Sequence, residues 1–89
     1  MNESTILEYS KWLAKVTDLT DGSTSDLVSR TKRISALIKI TAQSDNEKLD
    51  LDVSNVEEFK NKKKWTFSQH RKAAKMYRDF LLSKYKSNS

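Results

Sequence analysis

The chain has 89 residues, 36% hydrophobic and 33% charged, with a formal net charge of +5 and no cysteine. A chain of this length makes one small domain, burying roughly 60–65% of the surface its unfolded form exposes; without cysteine it has neither a disulfide framework nor a thiolate metal site. One glycine and no proline leave little for the positive-φ turns of hairpins and sandwiches, so an all-α chain is expected.

No run approaches the ~18 apolar residues of a membrane span. The N-terminus, MNESTILEYSKW, carries no basic stretch followed by an apolar one, which argues against secretion. A cytoplasmic protein without membrane contact is the expectation, with Met1 as its true start.

Taken in order, the residues predict a compact bundle of four main helices in a single domain, 1–89. Thr5 and Glu8 form a capping-box pair opening a first helix over about 5–17, each side chain satisfying a backbone N–H that the first turn leaves open. Its stripe is Ile6, Tyr9, Leu13 and Val16, flanked by Trp12, a core aromatic on the helix shoulder rather than a stacking platform. The turn-rich TDLTDGSTSD follows, and Ser23 with Asp26 caps a second helix over about 24–40. Leu27, Thr31, Ile34, Leu37 and Ile38 face inward there, while Arg30, Lys32 and Arg33 spread over the sides and back.

Residues 41–51, TAQSDNEKLDL, are polar and acidic and read as a loop with at most one helical turn. The alternation of Leu49, Leu51 and Val53 with Asp50 and Asp52 imitates a strand, but no second strand is evident to pair with it. Ser54 and Glu57 make another capping box, opening a short third helix over about 54–61, with Val56 and Phe59 inward.

The fourth helix, about 66–86, is the clearest. Thr66 and Gln69 can cap it, and Phe67, His70, Ala73, Ala74, Tyr77, Phe80, Leu81 and Tyr85 share one broad face. Ser68, Arg71, Lys72, Lys75, Arg78, Asp79 and Lys86 lie opposite, before a tail of Ser87, Asn88 and Ser89. Charge concentrates here. Residues 60–89 hold ten Lys/Arg against one acid, a local +9, whereas the first 59 carry seven basic and eleven acidic groups, a local −4. Such a split points to a basic surface that meets something anionic.

Catalysis has little support in these residues. The lone histidine, His70, sits mid-way along an apolar face, where a packing role outweighs that of a base. Glu57 and Glu58 are consecutive, about 100° apart on a helix, and do not converge as an acid pair. The acids at 45, 47, 50 and 52 lack calcium-loop spacing, and one glycine cannot build a phosphate-cradling loop. No catalytic residue, metal ligand, cofactor or small-molecule substrate is expected.

DNA is the favoured partner. Lys62, Lys63 and Lys64 end at the start of the fourth helix, where unpaired N–H groups and the positive end of the dipole add to the field. Ser68, Arg71, Lys72, Lys75 and Arg78 continue the stripe, and Arg30, Lys32 and Arg33 lend help from the second helix. Backbone attraction is the main expectation, with base edges in reach if the helix enters a major groove. Trp65 either staples the start of the helix or stacks on a base. The competing reading is a protein-interaction or dimerisation module that pairs acidic and basic surfaces, as in a head-to-tail homodimer. Contiguity of the basic side chains decides between the two.

The order EYSKWL, TSDLVSRTKRISALIKI, DVSNVEEFK and TFSQHRKAAKMYRDFL resembles the SAM-like N-terminal core-binding domain of phage integrases and tyrosine recombinases, over residues 5–84. In that family about four helices clamp one side of a DNA duplex, the last being alanine-rich with an aromatic–x–x–Phe–Leu ending. Lys75-Met76-Tyr77-Arg78-Asp79-Phe80-Leu81 is also similar to a segment preceding some restriction-endonuclease domains. The resemblance implies a mobile-element setting. The chain departs from the family by stopping at Ser89, before any catalytic domain with an Arg/His/Tyr site, and by its acidic 44–52 segment. What it then implies is a stand-alone module or isolated N-terminal domain that assists assembly on DNA without cutting it.

Overall fold

A computed structural model describes residues 1–87; Asn88 and Ser89, assigned above to a tail, lie outside them. Four α-helices form the fold: α1 Glu3–Val16, α2 Asp21–Leu37, α3 Asn46–Ser54 and α4 Lys64–Ser87, with a 3-10 turn over Glu57–Phe59. There is no strand among the described residues, and the architecture is all-α. At about 1.5 Å per residue, α4 is long enough to run most of the molecule's long axis, which measures 38 Å. It packs against α1, α2 and α3 alike, and α1 also packs on α2. The bundle is built around α4.

Helix starts fall two to three residues earlier than the capping boxes predict. Asn2, not Thr5, caps α1, its side chain accepting the Thr5 N–H at 2.8 Å. Thr20 caps α2 by accepting the Ser23 N–H at 3.2 Å. Asn is as good a cap as Ser or Thr, and Glu3 and Asp21 then occupy first turns, where the dipole favours an acid. Gly22 lies inside α2 with an ordinary negative φ, not in a turn. Helix α4 opens at Lys64, so Thr66 sits within it rather than capping it.

The largest departure lies between residues 45 and 61. The acidic segment read as a loop is α3, capped by Asp45, which accepts the Lys48 N–H at 2.7 Å. Leu49 and Val53 point into the core one turn apart, and Leu51 points to solvent. The expected helix over 54–61 is absent. Ser54 ends α3, its hydroxyl bonding back to the Asp50 carbonyl, and the chain tightens into the 3-10 turn. Val56 and Phe59 are nevertheless buried, as expected.

Tyr9, Leu13, Leu27, Ile34, Leu49, Val53, Val56, Phe59, Ala73, Ala74 and Phe80 form the core. Ala73 and Ala74 matter because small side chains let neighbouring helices approach α4 closely. At one end of the core Tyr9 meets the rings of Tyr77 and Phe80, with centroids 5.5 and 5.2 Å away. At the other, Phe59 packs between Phe67 and His70. Val16 and Tyr85, both expected inside, are exposed. Leu81 is half-buried against the core. Leu81→Ala should therefore cost about 1–2 kcal/mol, below the ~2–5 of a fully buried leucine. Urea unfolding measures this, and a loss under ~0.5 kcal/mol would place the residue outside the core.

One buried polar chain links α1 to α2. The Thr31 hydroxyl donates to the Leu27 carbonyl at 2.8 Å, so its oxygen accepts from the Tyr9 hydroxyl at 3.1 Å. Burial, with Tyr77 and Asp79 nearby, pushes the Tyr9 hydroxyl up from about 10 to about 12. The folded state thus holds a proton that the unfolded state releases, and stability must fall as pH rises from 10 towards 12. Tyr9→Phe should cost about 1 kcal/mol at neutral pH and make the alkaline loss shallower. Equal alkaline slopes for the two proteins would remove Tyr9 as the titrating group.

Candidate nucleic-acid interface

The eleven residues expected to meet DNA do not form one surface. Four are engaged within the fold. Lys75 Nζ lies 2.9 Å from Asp50 Oδ1 on α3. Arg33 pairs with Glu58 at 2.9 Å and lies over the Phe59 ring. Arg78, with its side chain only 16% exposed, donates from Nη1 to the Ser44 carbonyl and from Nε to Asp79. Arg71 donates to the Ser54 hydroxyl at 2.9 Å and covers Phe67. The acidic α3 and its flanks therefore cap the α3-facing side of the basic stripe.

A fifth stands apart. Lys32 is exposed but lies about 200° round α2 from Arg30, at ~100° per residue, and does not share its side of the helix.

Six residues remain. Lys62, Lys63, Lys64 and Lys72 are exposed and make no ion pair among the described residues. Ser68 lies on the same crest of α4, one turn after Lys64. From α2, the Arg30 guanidinium reaches across to sit 5.5 Å from the centre of the Trp65 ring. Arg30 and Lys72 also line a groove of about 230 Å³ between α2 and α4, together with Leu19, Ser23, Asp26, Leu27 and Gln69.

Trp65 departs from the stapling role. It stays 63% exposed, so it does not close the start of α4 as a staple would. The helical wheel held a signal. Trp65 lies on the flank of α4 away from the core centre, in line with Lys72 two turns on, beyond reach of the apolar face. His70, by contrast, is a packing residue. It is buried, its ring is 4.4 Å from that of Phe59, and Nδ1 donates to the Thr66 carbonyl.

No group of three or more acidic or histidine side chains is placed to hold a metal ion among the described residues. Nor is any described helix long and apolar enough to cross a membrane. No protein-family model, curated protein or solved structure matches the chain.

Proposed function

We propose that this chain is a non-catalytic DNA-binding module that meets the phosphate backbone through the N-terminal end of α4. One observation carries the reading: an exposed tryptophan that already holds an arginine directly follows three exposed lysines without ion pairs and lies in line with a fourth, Lys72, two turns on. Binding proceeds by neutralising phosphates and releasing their counterions. The helix start adds free N–H groups and dipole to the same place. The working set is Lys62, Lys63, Lys64, Lys72 and Arg30, with Ser68 as a hydroxyl donor. The resemblance to integrase core-binding domains points to the same partner in an assembly role on DNA, although its third segment, DVSNVEEFK, is here the end of α3 and a 3-10 turn rather than a helix. Three of the eleven, Arg33, Lys75 and Arg78, lie among acids, the scatter that favours pairing of acidic and basic surfaces between copies; against that pairing, Glu58, Asp50 and Asp79, with Glu8, already bind cations of their own chain.

The test is fluorescence anisotropy with a mixed-sequence duplex of about 20 base pairs, titrated at low and moderate salt. Affinity that falls steeply with salt is the expected result. No binding even at low salt overturns the proposal and turns attention to dimerisation.

A further inference from the structure

Trp65 stands 63% in solvent, held on one side by Arg30 with its guanidinium 5.5 Å from the ring centre. A large aromatic left outside the core of so small a domain forgoes burial that would stabilise the fold. Its surroundings define what can cover it. Three consecutive lysines precede it and Lys72 lies two turns beyond, so the occupant carries negative charge on both sides of a flat apolar unit. The adjoining groove contains Asp26, Gln69 and Ser23 beside Arg30 and Lys72. A carboxylate there repels a phosphate but accepts from the N–H groups of a base edge, and the Gln69 amide both donates and accepts.

From this juxtaposition we infer that Trp65 is a stacking platform for an unpaired nucleobase, with the flanking phosphates on Lys62, Lys63, Lys64 and Lys72. The inference rests on the nucleic-acid reading above and sharpens its substrate class to single-stranded or locally unpaired strands. A base in a duplex has both faces covered by its neighbours, and opening it costs free energy that a single strand does not demand. Stacking on the indole is tolerant of sequence, because every base presents a π-face. Arg30 preorganises the platform: it fixes the indole before binding and supplies a cation beside the stacked base.

The experiment compares one labelled oligonucleotide of about 12 nucleotides, single-stranded and as its duplex, binding to the wild type, Trp65→Ala and Trp65→Phe. Wild type is expected to prefer the single strand by roughly tenfold or more. Trp65→Ala should lose roughly 5- to 100-fold on the single strand, the worth of one stacked base. It should leave duplex affinity and both salt slopes unchanged, while Trp65→Phe recovers part of the loss. Intrinsic tryptophan fluorescence should be quenched by the single strand in the wild type and not in Trp65→Phe, where only Trp12 emits. Equal single-strand affinity for wild type and Trp65→Ala overturns the inference, as does a wild-type preference for duplex. If salt-sensitive duplex binding persists in that case, the phosphate-led reading stands and only the platform falls. Absence of binding to either form removes both.

Discussion

Phe59→Ala should lower the melting temperature by about 15–30 °C. Phe59 is 1% exposed although it sits in a connecting turn rather than in a long helix. Its ring lies 5.8 Å from Phe67 and 4.4 Å from His70, and the Arg33 guanidinium covers it from α2. One side chain thus fastens the α3–α4 connection to both α2 and α4. Truncating a buried phenylalanine costs about 3–5 kcal/mol. An 89-residue domain has only about 4–13 kcal/mol in total, at ~0.05–0.15 per residue. The variant should be partly unfolded near room temperature if stability is at the low end. Phe59→Leu should recover most of the loss, and Tyr85→Ala, at a site 62% exposed, should change stability by no more than ~0.5 kcal/mol. Thermal unfolding followed by circular dichroism decides it. A shift under ~5 °C would mean that the turn is not anchored through this ring.

How far the sequence discloses this arrangement depends on how many independent signals each segment carries. In α4 the apolar spacing of Phe67, His70, Ala73, Ala74, Tyr77 and Phe80 repeats over several turns, and no breaker interrupts it. Only its ends misled: Tyr85 continues the period but lies beyond the neighbours that would cover it. For α3 the signals conflict over nine residues. Leu49, Leu51 and Val53 alternate like a strand, whereas Leu49 and Val53 alone have helical spacing, and the Asp45 cap with Glu47 in the first turn supports the helix. Tertiary packing on α4 resolves the conflict by burying two of the three. That single misreading carried into the site. With residues 41–51 taken as a loop, Asp50 has no fixed position. As the neighbour of buried Leu49 on a helix, it falls on the flank that meets α4 and takes Lys75. Charge counts locate an excess of cations, but which of them stay free is a property of packing between segments far apart in sequence.

Replacing Lys62, Lys63 and Lys64 together by Ala should weaken DNA binding on the order of 10- to 100-fold at low to moderate salt. The slope of log affinity against log salt should become shallower by about 2–3, since each lysine taken off a duplex phosphate removes ~0.9. Stability should hold or rise slightly, with a melting temperature ~1–3 °C higher at most. The sign follows from the helix dipole: cations at the start of α4 meet its positive end, so the fold gains nothing from them there. Three lysines kept against that field call for a reason outside folding, and an anionic partner supplies one. The converse variant sharpens the point. Lys75→Ala with Arg78→Ala removes two formal charges from the basic half against the triple variant's three, but from side chains that hold Asp50 and the Ser44 carbonyl. That pair should lower stability and leave the salt slope nearly unchanged. If instead it flattens the slope by as much per charge removed as the triple variant does, affinity follows total charge rather than a defined surface. The basic end of α4 would then be a solvated face and not a site.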